Sequence, residues 1–516
     1  MNPIKKNYFF VCLLFSIFIT AAFNRAKVVS GFDKVKVEGG TISGVVNATG
    51  DVHIFKGIPF AAPPVGPLRW KAPEPVKPWE GIKLCDKFGP SPMQPSPHPF
   101  YMWSQEFLIP KEPISEDCLY LNVWTGATSP KEKLPVLVWI YGGGFSGGGS
   151  GVPIYDGEAM AKKGIVFVSI NYRVGIFGFF AHPQLTKESV RQASGNYGLM
   201  DQVAGLKWVK KNIAAFGGDP RNVTIAGQSA GSMSVNCLEA SPLAKNLFQK
   251  AIGESGAFFT SENMSLQKAE ELGEKTMYAL HDSSISEMRN EPAEKLMKEQ
   301  GTGPIIDGYV LPDAIKNIFR NGKENKVPLL TGWNEDEGLV FGSLKSAVDF
   351  KKEIEQKYGV NAQKLLQFYP AANDSLAKVS QLNLSRDMIF GVQNYTWANM
   401  ESSVGLKAFV YRFTRRPPAT GEYKRFGAFH TAEVPYAYDN LKFVNRPWQP
   451  IDYKLSNIMS TYWANFVKYG NPNGEGLPKW KAYTIGEKDI MILGKTPGTE
   501  KIPDKDALDF LFKILN

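Results

Sequence analysis

The chain is poor in two residue types that usually advertise chemistry: of 516 residues only four are Cys and five are His. So few cysteines exclude a disulfide-stapled scaffold, and so few histidines narrow the choice of any base that titrates near neutrality. Internal repeats, heptads and Gly-X-Y periodicity are also lacking, which removes fibrous and solenoid architectures. Nor does any stretch rich in Gly, Ser or Pro divide the chain into separate units. Basic residues outnumber acidic ones by 59 to 50, or +9, yet the longest basic runs are pairs such as Lys5-Lys6, Lys210-Lys211 and Arg415-Arg416. A nucleic-acid binder concentrates its excess in a stripe, so no nucleic-acid partner is expected. What is present is an apolar content of 43%, enough to bury a sizeable core.

Lys5 and Lys6 precede an uncharged run from Tyr8 to Phe23, and Thr20-Ala21-Ala22 offers small residues for cleavage. This layout reads as a secretory signal peptide over residues 1–22, with a secreted or periplasmic mature chain from residue 23 to 516. An uncleaved N-terminal anchor is the competing reading. No later segment is long and apolar enough to span a bilayer. Export permits disulfides. Cys85 and Cys118 flank a Pro-rich aromatic stretch, residues 90–113, that a clasp would stabilise by about 4 kcal/mol; two free thiols are the alternative. Cys237, in an apolar stretch, is expected to be buried and inert.

Alternation from Val35 to Pro59, with turns at Gly39-Gly40 and Asn47–Gly50, predicts small N-terminal antiparallel strands. The texture then changes. Val136–Tyr141 and Ile165–Ile170 are continuous apolar runs, as expected for strands buried on both faces. Leu199, Val203, Leu206, Val209, Ile213 and Phe216 recur at helical spacing, and Gly217-Gly218 ends that helix. Further buried strands are expected at Asn222–Ala226, Lys326–Thr331 and Ala408–Tyr411. Strands alternating with helices predict an α/β fold, a mostly parallel central sheet with helices on both faces. The polar helical stretches 267–300 and 346–367 read as insertions over that sheet.

Directly after the Asn222–Ala226 strand comes Gly227-Gln228-Ser229-Ala230-Gly231, followed by a helix-compatible run. A serine between glycines at a strand-to-helix turn is a nucleophile elbow: the small neighbours permit a strained backbone, and the turn presents Oγ at the helix N-terminus. The strand Val136–Tyr141 runs into Gly142-Gly143-Gly144-Phe145, where glycines let backbone N–H groups approach a developing oxyanion. The alternative, a phosphate-cradling loop, lacks its G-K-[ST] signature. A serine hydroxyl needs an imidazole oriented by a carboxylate, and around such an elbow the order is Ser, acid, His. His53, His98 and His182 precede Ser229, and His281 lies in a polar helical stretch. His430, in a loop after the Ala408–Tyr411 strand, is the remaining base. The acid falls within Glu335-Asp336-Glu337, among which pattern does not choose.

With these residues assembled, the chain resembles the type B carboxylesterases, the α/β-hydrolase family that includes bacterial para-nitrobenzyl esterases, animal carboxylesterases and cholinesterases. The resemblance runs through Phe55–Pro59, Pro63–Gly66, Ser115–Val123, Gly142–Phe145, Asn171–Arg173, the Ser229 elbow and Asp336–Gly338. It implies one elaborated α/β-hydrolase domain and hydrolysis of small-molecule carboxylic esters through Ser229, Glu337 and His430, with no metal or cofactor. It further implies an oxyanion hole of Gly143, Gly144 and Ala230, a Cys85–Cys118 disulfide, an Arg69–Glu116 ion pair and a supporting role for Ser255. One departure stands out. Cholinesterases carry Glu immediately before the nucleophile, where this chain has Gln228, so choline recognition is not expected. The family's non-catalytic adhesion members lack the nucleophile, and Ser229 is present.

Overall fold

A computed structural model describes residues 32–515 apart from positions 33, 112, 261–263 and 341. The expected signal peptide lies outside the described residues. Eleven strands form the main sheet, numbered here in chain order: β1 Val45–Val46, β2 His53–Pro59, β3 Tyr120–Thr125, β4 Leu134–Ile140, β5 Val166–Ile170, β6 Gly218–Gln228, β7 Lys250–Glu254, β8 Leu329–Asn334, β9 Ala408–Phe413, β10 Asp489–Leu493 and β11 Gly498–Lys501. Their spatial order is β11-β10-β9-β8-β7-β6-β4-β5-β3-β2-β1. The seven strands from β5 through β10 in that order, β4 included, run parallel, and antiparallel pairs close both ends. A separate three-stranded sheet joins Val35–Val37, Gly40–Ser43 and Ile82–Leu84.

The apolar runs form the centre because neither face of the sheet meets water: Val136 to Ile140 are wholly buried. Two successive residues of β7 show how each face is covered, since neighbouring side chains on a strand point opposite ways. At Gly253 a Cβ would strike the Trp397 ring at 2.4 Å and Ser232 at 2.9 Å, so that face carries the helices Val392–Ser403 and Ala230–Ala240. The next residue, Glu254, accepts hydrogen bonds from Trp463 of the helix Pro450–Tyr469 and from Tyr438. The amphipathic helix of the sequence spans Tyr197–Asn212, continues as a tight turn to Phe216, and ends on Gly217 at φ 79°.

One strand is displaced from its expected position. The apolar run begins near Lys326, but β8 starts only at Leu329, because Pro328 has no N–H to give to the ladder.

Among the described residues no helix is long and apolar enough to cross a membrane. The expected Cys85–Cys118 disulfide is corrected: both are free, buried thiols. Strand register explains why. The Cys85 carbonyl accepts from Lys56 N–H, whereas Leu119, next to Cys118, accepts from Phe60 N–H. The two cysteines therefore meet the same strand four residues apart, about 13 Å at the rise of an extended chain, while a disulfide needs Cα atoms within about 7 Å. Met93, not Cys85, lines the small pocket beside Cys118. Burial pushes the Cys85 thiol up to about 11 and Cys118 well above its ordinary value. Cys237 is fully buried.

Candidate active site

The parallel neighbours β4, β6, β7, β8 and β9 all end on the same edge of the sheet, and the candidate residues follow those ends. Beyond β6, Ser229 adopts φ 59° and ψ −126° at the start of the helix Ala230–Ala240. Only glycine fits around it. A Cβ at Gly231 would lie 2.0 Å from the Ile140 carbonyl oxygen, and one at Gly227 would meet the Gly231 backbone at 2.4 Å. The strained serine is held by its own N–H, which donates to Glu254 O at 2.9 Å. The residue is half-buried, between a buried Gln228 and a buried Ala230.

After β4 the chain turns through Gly143 at φ 123° and Gly144 at φ 61°, both exposed. The Gly143 carbonyl accepts from the N–H groups of Ser146 and Gly147, which closes the turn. A Cβ at Gly143 would sit 2.3 Å from Gly147 O. Among the described residues none accepts a hydrogen bond from the N–H of Gly143, Gly144 or Ala230. Ala230 follows Ser229 directly, and a Cβ at Gly142, next to Gly143, would lie 2.9 Å from the Ser229 Cβ. The glycine turn therefore runs beside the serine, and free backbone donors so placed can serve a developing negative charge.

The three consecutive acids after β8 separate by partner. Glu335 reaches back to Arg412 on β9 at 3.0 Å and to Arg386 at 3.8 Å. Asp336 forks onto Arg416 at 2.9 and 3.0 Å and accepts from Ala428 N–H at 2.8 Å, which pins the loop that carries the histidine. Glu337 alone faces His430, with Oε2 2.9 Å from Nδ1. Its other oxygen accepts from Asn334 N–H at 2.7 Å and from the Ser255 hydroxyl at 3.1 Å. Both members of this pair are buried, so the carboxylate is dry and fully ligated. A carboxylate on Nδ1–H fixes the tautomer and leaves Nε2 as the acceptor.

Around the imidazole, Phe390 stacks at 4.4 Å between centroids and Trp103 presents an edge at 6.2 Å. The Gln228 amide nitrogen lies 3.3 Å from Nδ1 and 3.2 Å from Nε2. Nearly equal distances place that nitrogen over the ring, away from the in-plane Nε2 lone pair. No hydrogen bond joins the Ser229 hydroxyl to His430 in this arrangement. Such bonds are commonly long in a free enzyme and tighten with substrate.

Behind the pair lie two carboxyls that sequence patterning passes over. Glu433 receives the Asn334 side-chain amide, and burial together with Glu254 and Glu337 pushes it well above the usual carboxylate range. Glu254 is raised to about 7, chiefly by burial, although Tyr438 and Trp463 donate to it. Their positions offered a signal: one ends a buried strand and the other follows His430 by three residues. Arg69 forks onto Glu116 at 2.6 and 2.7 Å and also donates to three carbonyls at the end of the helix Ile285–Asn290. His281 sits exposed in the left-handed region at a helix end, and His182 caps a helix by accepting from Gln184 N–H.

A model of the family described as "Carboxylesterase family" matches residues 32–511, nearly the whole described chain. The chain belongs to that family. This carboxylesterase is similar to the fumonisin B1 esterase of Sphingopyxis macrogoltabida, at 36% identity over 90% of this chain and 88% of the relative. It is similar to the para-nitrobenzyl esterase of Bacillus subtilis, at 35% identity over 92% and 97% of the two chains. A rabbit (Oryctolagus cuniculus) liver carboxylesterase 1 shares 35% identity over 88% of each. Among solved structures, a PNB esterase superposes with a TM-score of 0.82 at 33% identity, covering 93% of this carboxylesterase and 99% of the other chain. The enzyme is a carboxylic ester hydrolase with an α/β-hydrolase fold.

Proposed function

We propose that the carboxylesterase works through an acyl-enzyme on Ser229, with His430 as base and Glu337 as its orienting acid. His430 Nε2 takes the Ser229 proton as Oγ attacks the acyl carbon. The N–H groups of Gly143, Gly144 and Ala230 receive the oxyanion, and losing one such donor typically costs about 2.7–4 kcal/mol. The imidazolium, stabilised by Glu337, passes its proton to the departing alcohol. Water then attacks the acyl group, His430 takes the water's proton, and Ser229 leaves protonated.

The observation that carries this reading is the 2.9 Å contact of Glu337 with Nδ1 of a buried histidine beside a serine held at φ 59°. Trp103 presents an edge to the imidazole and half-exposed Phe100 packs on Trp103, an aromatic surface that favours small esters with an apolar or aromatic group. Export by way of residues 1–22 belongs to the same proposal. The decisive test is Ser229→Ala against p-nitrophenyl acetate and butyrate. Turnover should vanish together with covalent labelling by an organophosphate, and near-wild-type hydrolysis by the variant would refute the assignment.

A further inference from the structure

Residue 431, directly after the histidine, is a threonine at φ 83°. Glycine takes that conformation freely, whereas a β-branched residue resists it and keeps it only where its surroundings dictate. Thr431 is buried, and both hydrogen-bonding capacities of its hydroxyl are used. The oxygen accepts from Trp103 Nε1–H at 3.1 Å, and the hydroxyl donates to Gln228 Oε1 at 3.4 Å. With its oxygen held in this way, the Gln228 amide turns its nitrogen onto the His430 ring.

Glu337 fixes only one corner of the imidazole, at Nδ1. Tilt about that hydrogen bond decides where Nε2 points; Gln228 and Phe390 pack on the ring, and Trp103 meets it edge-on. Trp103, at the other end of the chain of contacts, belongs to the turn Phe100–Trp103, closed by reciprocal backbone bonds of 3.2 and 3.0 Å. Phe100 packs on Trp103 at 4.9 Å and is half-exposed. A substrate touching this aromatic turn therefore touches the first member of a relay that ends on the base.

We propose that Thr431 is a positioning residue, strained so that its hydroxyl joins the aromatic turn at Trp103 to the Gln228 amide and thereby sets the tilt of the His430 ring. The inference rests on the esterase reading of Ser229, His430 and Glu337. It is tested by kcat, KM and melting temperature of the full chain on p-nitrophenyl butyrate for Thr431→Ser, Thr431→Ala, Thr431→Gly and Trp103→Phe. Serine keeps the hydroxyl and should retain kcat within about twofold, while alanine and glycine should lose about tenfold in kcat with KM little changed. Glycine loses the same two hydrogen bonds as alanine but relieves the strain, so Thr431→Gly should be as slow as Thr431→Ala yet melt no lower than it. Trp103→Phe keeps an aromatic ring but loses the donor, and should lose about threefold in kcat.

An active wild type whose Thr431→Ala variant keeps full kcat overturns the inference alone. So does a Thr431→Ser variant as slow as alanine. A wild type that neither turns over nor takes an organophosphate on Ser229 overturns the esterase reading and the inference with it.

Discussion

Glu254 turns the interior of the sheet into a pH-dependent stability element, and the effect can be sized. Its carboxyl is wholly buried, and burial raises it to about 7 from the ordinary 4.5. At low pH the group is neutral in both folded and unfolded chains and costs nothing. Above pH 4.5 the unfolded chain releases the proton while the fold retains it, so the unfolded state gains. Stability is thus lost as pH rises from 4.5 through about 7, and the loss then levels off. At 1.36 kcal/mol per pH unit the total is about 3 kcal/mol. Glu254→Gln keeps an oxygen to accept from Tyr438 and Trp463 but cannot ionise. The assay is urea unfolding of wild type and variant at pH 4.5, 5.5, 6.5 and 7.5. The variant's stability relative to wild type should climb by about 3 kcal/mol across that series. Parallel curves, with no pH-dependent difference, would refute the claim that this carboxyl is buried protonated.

The neighbouring acids should differ sharply when made neutral. Glu337→Gln leaves the fold intact but presents the wrong hydrogen-bonding group to Nδ1, and kcat on p-nitrophenyl butyrate should fall by about 10³–10⁴-fold. Asp336→Asn loses the pair with an exposed Arg416, costs at most about 1 kcal/mol in urea unfolding, and should leave most of kcat. Equal effects of the two substitutions would count against the assignment of Glu337. Thiol titration in denaturant without reductant should find Cys85, Cys118 and Cys237 all reactive, and reductant should leave the melting temperature unchanged. A cross-linked peptide joining Cys85 to Cys118 would overturn the register argument.

Burial on both faces writes itself plainly into sequence, which is why β4, β5, β6 and β9 are legible as apolar runs. The elbow is equally legible, because sterics around Ser229 demand Gly227 and Gly231 at fixed spacing. The last two strands are not: β10 is only five residues long, and the edge strand β11 is Gly-Thr-Glu-Lys with no apolar side chain, so no periodicity announces them. The choice among Glu335, Asp336 and Glu337 is equally hidden. It depends on Arg412, Arg416 and His430, all more than seventy residues downstream. Patterning gives Glu254 and Glu433 no role, and the hydrogen-bond donors that make their burial tolerable come from distant parts of the chain. The mistaken cysteine pairing has the same origin. Loop composition called for a clasp, but which residues face each other is set by the register of β2.

The convergence of five parallel strand ends also has a consequence for how the enzyme comes into being. Gly143, Ser229, Glu337 and His430 arrive in that order as the chain is made, and the base comes only when β9 is already built. A nascent chain displays its glycine turn and its serine long before His430, the proposed base, is made. Such widely separated pairings are also the slow ones in folding. On the proposed mechanism hydrolysis switches on with the docking of the chain's last third, and recovery of activity after denaturation should time the completion of the sheet more sharply than recovery of its helices.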